Sequence, residues 1–301
     1  MTRATLSEVL QPALRDGYAV AGLVCLGWED MRAFAMAAEA EGAPAILQAG
    51  PGCRAHTPLP VLAAMMGYLA DAVSVPIVLH LDHGYTLDEC RAAIDCGFTS
   101  VMFDGSRKPL AQNIAETAAI ADMAHAAGVS CEGEIGFVGY AAGAASDATD
   151  PAEAAQFARE TGVDAMAVSV GNMHLQRDAG AELDEAALHA IEAVTDVPLV
   201  IHGGSGVPGA QRRRLARGSR ICKLNIGTEL RQVFGSALRE TLAAHPDRFD
   251  RVELLSATHA PLMDTARRVI RNLRACAARG LSVWRADPPA SGARVRAKQP
   301  D

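Results

Sequence analysis

Eight short runs rich in apolar and β-branched residues recur along this chain, at Val20–Leu26, Ala45–Ala49, Ile77–Leu81, Ser100–Phe103, Val129–Glu132, Ala165–Val170, Leu199–Ile201 and Ile221–Ile226. Segments of helical spacing lie between them, such as Trp28–Glu41, Leu59–Ala72, Thr86–Cys96, Ile114–Ala127, Pro151–Thr161 and Glu185–Val194. Several of these are alanine-rich, and alanine loses no side-chain entropy in a helix. Gly or Pro punctuates the helix-to-strand turns at Gly42-Ala43-Pro44, Val75-Pro76, Gly97, Gly128, Gly162 and Val197-Pro198. Strands that are apolar throughout and alternate with helices form a parallel sheet covered on its faces. Eight such units close into a ring, so the expected fold is α/β, a (β/α)8 TIM barrel. An open, doubly wound sheet is the competitor, and only the count of eight separates the two.

A barrel of this kind needs roughly 250 residues, and the chain has 301. One barrel domain is expected over residues 1–285, with Leu230–Ala244 and Thr265–Ala278 as extra C-terminal helices. Residues 286–301, rich in Pro, Ala and Arg, are expected to form a disordered tail. A net charge of -7 argues against nucleic acid or a membrane surface as partner and favours a small molecule. Seven scattered cysteines without a C-x-x-C pair read as reduced thiols of a cytoplasmic protein. Met1 to Ala13 is polar and lacks the features of a signal peptide, and no apolar stretch reaches the roughly 18 residues of a membrane span.

Barrel enzymes carry their chemistry at the carboxyl ends of the strands, and polar residues end several of these runs. The third closes on His80-Leu81-Asp82-His83-Gly84, the fourth on Asp104-Gly105-Ser106 and the fifth on Glu132-Gly133-Glu134. The sixth leads to Asn172-Met173-His174, the seventh to His202-Gly203-Gly204-Ser205-Gly206 and the eighth to Asn225-Ile226-Gly227-Thr228. His83, His174 and His202 at three strand ends could bring three imidazoles to one point, leaving one coordination position open as in a catalytic zinc site. Asp104 and Glu134 could ligate the same metal or a second cation, or merely cap helices and pair with loop charges. His80 reads as a packed histidine more readily than as one that orients a neighbour. The glycine-rich stretches Gly203–Gly206 and Asn225–Thr228 lie where barrels often bind phosphate, with Ser205 and Thr228 as hydroxyl donors.

At Leu79–Gly84, Ser100–Ser106, Cys131–Gly136, His202–Val207 and Cys222–Glu229 the chain resembles the class II, metal-dependent ketose-bisphosphate aldolases, and the likeness extends over about Leu6 to Ala278. The resemblance implies that His83, His174 and His202 bind Zn2+, and that Asp104 and Glu134 match a position for a second metal or monovalent cation. It implies Asp82 as the catalytic acid and base. Gly203, Gly204, Ser205, Asn225, Ile226, Gly227 and Thr228 would hold the phosphorylated sugar, as dihydroxyacetone phosphate. The implied reaction is reversible retro-aldol cleavage of a phosphorylated ketose, by a homodimer or homotetramer.

Three features depart from the family pattern. Leu175 and Gln176 follow His174 where the family has glycine; Gly27 and Gly50 stand where it usually has Asn and Ser or Thr; and Gly139–Thr149 offers only Asp147 as an acid. The substrate half of the site is therefore expected to be altered. A metal-dependent isomerase, epimerase or other barrel lyase, and a noncatalytic sugar-phosphate-binding barrel, are the alternatives. Arg267, Arg268 or Arg271 could reach a phosphate, in this chain or a neighbouring subunit.

Overall fold

The structure, a computed structural model, describes residues 2–141, 143–177, 180 and 182–274. The expected tail from residue 286 lies outside the described residues. In chain order the elements are α1 (Leu6–Asp16), β1 (Val20–Cys25), α2 (Trp28–Glu41), β2 (Ala45–Ala49), α3 (Pro51–His56), α4 (Leu59–Asp71), β3 (Ile77–Gly84), α5 (Leu87–Asp95), β4 (Ser100–Phe103) and α6 (Leu110–Ala126). They continue with β5 (Ser130–Ile135), α7 (Pro151–Thr161), β6 (Ala165–Val168), α8 (Glu185–Glu192), β7 (Leu199–Ile201), α9 (Gly209–Gly218), β8 (Ile221–Ile226), α10 (Thr228–Ala244), α11 (Arg251–Ser256) and α12 (His259–Arg274).

All eight strands pair in parallel and in sequence order, and β8 returns to β1 with Val20 opposite Lys223, so the sheet is a closed barrel. This excludes the open sheet. Strands β3 and β5 run further than their apolar runs, to Gly84 and Ile135, and so carry Asp82, His83 and Glu134 within the sheet. Outward residues such as Leu23, Leu47, Leu79 and Phe103 pack beneath the helices with Phe34, Phe157 and Leu262. No helix of the described residues is long and apolar enough to cross a membrane.

The segment read as polar at the N-terminus folds as an amphipathic helix. Thr5 and Glu8 form a reciprocal capping box that starts α1. Leu6, Val9, Leu10 and Ala13 fall on one face and pack with inward residues Val20, Ile46, Val78, Ala165, Ala167 and Val200. Helix α1 thus seals the lower end of the barrel with an apolar plug. Removing the cap with Thr5→Ala should cost about 1 kcal/mol, read as a lower midpoint in urea; an unchanged midpoint would mean the box does not secure the plug.

At the other end of the chain α12 lies across the outside. Arg267 and Arg271 bond Glu41 at the end of α2, at 2.6 and 2.7 Å, and Arg268 donates to Thr265. Arg267 and Arg271, considered above for phosphate, are thus engaged in joining α12 to α2.

Candidate active site

Above the apolar plug the barrel interior turns polar. Inward positions two residues apart carry His80 and Asp82 on β3, Glu132 and Glu134 on β5, and Lys223 and Asn225 on β8, joined by Gln48, Ser100 and His202; all are buried. They underlie a cavity of about 280 Å³ at the carboxyl ends of the strands, lined among others by Asp82, His83, His174, Ser205, Asn225 and Thr228. A larger groove of about 610 Å³ between α9, α10 and α12 contains none of the strand-end histidines.

Neighbouring residues of a regular strand point to opposite faces, yet Asp82 and His83 both line the cavity. The register between β3 and β4 shifts between Leu81 and Gly84, and His83 takes φ 54°. This irregularity turns His83 inward beside Asp82. His83, His174 and His202 offer ring nitrogens that all lie within 4.8 Å of one another. The buried Nδ1 of His202 and Oε2 of Glu134 have no hydrogen-bond partner, and an orphaned acceptor in a buried site signals a missing partner. Three imidazoles plus these open atoms fit a divalent cation.

Asp104, exposed little, accepts from His83 Nδ1 at 2.8 Å and is itself held by the Ser106 hydroxyl at 2.6 Å. Glu134 Oε2 lies 3.9 Å from His83 Nδ1 and 3.5 Å from His202 Nδ1. Asp104 and Glu134 with His83 also form a second group able to hold a cation. Burial opposes the His83 charge, but Asp82, Asp104 and Glu134 outweigh it and raise its pKa to about 9. Burial, then the His83 charge, lowers His174 to about 4, and burial pushes Glu134 up to about 8. Asp82 is held below the usual carboxylate range: burial works against this, and His83, His202 and Lys223 overcome it. Gln48 donates to Asp82 Oδ1 at 2.8 Å and Asn225 at 3.4 Å.

Beneath the histidines runs a chain of contacts that sequence reasoning missed. His202 Nε2 meets Glu132 Oε1 at 3.0 Å, Lys223 Nζ donates to Glu132 Oε2 at 2.6 Å and approaches His80 Nε2 at 3.3 Å, and His80 Nδ1 meets the Ser100 hydroxyl at 2.9 Å. His80 is thus both packed and hydrogen-bonded. Glu132 fixes which His202 nitrogen faces the cavity. Tyr140 stacks on His174 with ring centroids 5.0 Å apart, and Arg54 donates to the carbonyls of Ala49, Asp82 and His83.

The two glycine-rich stretches meet. Gly203 has φ 65°, and a Cβ there would run into the Met173 carbonyl, so the turn requires glycine. The Ser205 hydroxyl accepts from the amides of Gly227 and Glu229 at 3.2 and 3.3 Å, tying the first loop to the start of α10. Gly203, Ser205, Asn225, Gly227 and Thr228 line the cavity, whereas the Ile226 side chain is buried in the core and Gly204 backs onto the Asn225 carbonyl.

Leu175 adopts φ 59°, a left-handed conformation that costs a Cβ-bearing residue roughly 1–2 kcal/mol. It also lines the cavity. Leu175→Gly should therefore raise stability by about 1 kcal/mol while widening the mouth; a lower denaturation midpoint would show that the leucine side chain contributes more than its backbone costs.

The sequence profile of the family described as Fructose-bisphosphate aldolase class-II matches residues 4–278. The chain is 36% identical over 258 residues to a fructose-bisphosphate aldolase of Geobacillus stearothermophilus, covering 83% of this chain and 89% of that one. It is also 36% identical to a 6-phospho-5-dehydro-2-deoxy-D-gluconate aldolase of Shouchella clausii, over 90% of this chain and 94% of the relative. The crystal structure of the YdjI aldolase from Escherichia coli K12 superimposes with a TM-score of 0.81 at 28% identity, covering 91% of this chain and 98% of that one. Fold, strand-end residues and relatives agree: the chain belongs to the class II fructose-bisphosphate aldolase family and is a carbon–carbon lyase.

Proposed function

We propose that this aldolase is zinc-dependent and reversibly cleaves a phosphorylated ketose to dihydroxyacetone phosphate and an aldehyde. The observation that carries this reading is the meeting, around one cavity, of three imidazoles, the Asp82 carboxylate and the paired glycine-rich loops. His83, His174 and His202 hold the zinc, and Asp104 and Glu134 stand at the second cation position. Bound there, zinc supplies Lewis acidity that stabilises the negative charge developing on the ketone half.

The chain's own residues do the rest. Asp82 takes the proton from the hydroxyl whose carbon becomes the aldehyde and returns it in the synthetic direction. Gln48 and Asn225, both donating to its Oδ1, keep it ionised and aimed. Asp104 orients His83, and Glu132 orients His202. Gly203 and Ser205, with Asn225, Gly227 and Thr228, receive the phosphate at the start of α10, while Gly204 and Ile226, which do not line the cavity, back the two loops. Six free cysteines among the described residues accord with a cytoplasmic enzyme, and the family reading extends to a homodimer or homotetramer, which sedimentation tests.

Zinc-loaded protein should release dihydroxyacetone phosphate from at least one member of a panel of ketose mono- and bisphosphates, followed with a coupled dehydrogenase, and EDTA should abolish release. Deuterium entering the sugar without aldehyde release would instead make the enzyme an isomerase or epimerase.

A further inference from the structure

Arg54 does not line the cavity, and no step above uses it. It projects from α3, and its side chain is largely buried where β2 and β3 part. The ladder between these strands ends with Ala49 opposite Leu81. Just past that point the guanidinium bridges them instead. Its Nη1 donates to the Ala49 carbonyl at 2.8 Å and to the Asp82 carbonyl at 2.6 Å, and its Nη2 donates to the His83 carbonyl at 2.9 Å.

These carbonyls belong to the segment on which the chemistry depends. From Leu81 to Gly84 β3 advances three residues while β4 advances two, from Val101 to Phe103, so β3 carries one residue more than its partner. His83 takes φ 54° there, a conformation that a Cβ-bearing residue keeps only where its surroundings impose it. Backbone groups of this segment find partners outside the regular ladder. The Gly84 carbonyl accepts from the Asp104 amide at 2.8 Å, and the Tyr85 amide donates to Glu89 at 2.7 Å. Glu89 in turn lies 3.8 Å from Arg54. Arg54 is the partner that holds Asp82 and His83 together. Without it their carbonyls would lose these donors, and regular strand geometry would send the two side chains to opposite faces.

We propose that Arg54 is a positioning residue: by clamping the carbonyls of Asp82 and His83 to that of Ala49, it keeps the proton-transfer carboxylate and a metal-binding imidazole turned into the cavity together. This rests on the roles proposed above for Asp82 and His83. Arginine suits the task because its planar fork presents several donors in fixed directions, so one side chain spans three carbonyls.

The test starts with Arg54→Lys, which keeps the charge and loses the fork. Zinc affinity, read by competition with a chromogenic chelator, should fall about 10- to 100-fold. With zinc saturating, kcat for the ketose phosphate cleaved fastest should fall by on the order of 10- to 100-fold, while KM stays within about twofold because the phosphate loops after β7 and β8 are untouched. Arg54→Ala should lose more on both counts; if it does not fold, Arg54→Lys carries the test. In an Asp82→Asn background the same Arg54→Lys change should cost no more than about twofold in kcat, since the group it positions has already lost its function. A merely structural residue would lower the denaturation midpoint and show no such coupling. If zinc affinity or zinc-saturated kcat of Arg54→Lys stays within about twofold of the parent, or if its loss in kcat is equal in both backgrounds, the proposal is overturned. His83→Ala that retains zinc, or Asp82→Asn with unaltered kcat, would reject the reading of the site itself. Equal losses with that reading intact would reject only the Arg54 assignment.

Discussion

Asp82→Asn is expected to retain bound metal and to lose about 10²- to 10⁴-fold in kcat. The substitution preserves shape and removes only the capacity to take a proton. Gln48 and Asn225 can still donate to the new carboxamide oxygen, since both already address Oδ1, so the floor of the cavity should not collapse. Asp82 also lies beside His83 in sequence, and a change that disturbed the β3 irregularity would release metal as well as activity. Metal content by mass spectrometry, measured with kcat on the same sample, separates the two. A metal-replete variant with unaltered kcat would remove Asp82 from proton transfer.

The second large effect concerns stability. Lys223 and Glu132 are fully buried and meet at 2.6 Å. Taking one partner away leaves an uncompensated charge in a water-poor interior, at a cost of about 3–5 kcal/mol. Lys223→Met should therefore lower the denaturation midpoint steeply in metal-free protein. It should also weaken metal binding about 10- to 100-fold, because Glu132 would no longer be fixed against His202 Nε2. Combining Lys223→Met with Glu132→Gln removes both charges and should recover most of the lost stability. A single variant within about 1 kcal/mol of the parent would show that the pair is not what holds the upper barrel together.

The fold was legible because each strand is a separate apolar run ended by turn residues, and the order β1 to β8 leaves few topologies to choose between. The histidines were legible because each interrupts an apolar run at the end where barrels place chemistry. Glu132, Lys223 and Gln48 were visible as polar residues inside such runs. Glu132 and Lys223 stand two positions before Glu134 and Asn225, which puts each pair on one face, and that spacing could have exposed them. Arg54 and Tyr140 were not legible in this way, since their roles depend on how loops and helix starts lean over the mouth. Leu175 was flagged as a departure from glycine, but only the left-handed backbone explains why glycine suits that position. The amphipathic spacing of Leu6, Val9, Leu10 and Ala13, behind Thr5 and Glu8, was readable and was passed over as polar.

Helix α1 is translated before any of the strands whose interior it fills. Its contacts reach far along the chain: the Ser7 amide donates to the Ser130 hydroxyl and the Ala4 amide to the Ile77 carbonyl. Neither docking site exists until the middle strands have come together, so α1 must wait, with its apolar face uncovered, for partners made much later. Such long-range closure slows folding and leaves a sticky intermediate. That interval is when exposed apolar surface makes this chain most prone to aggregate.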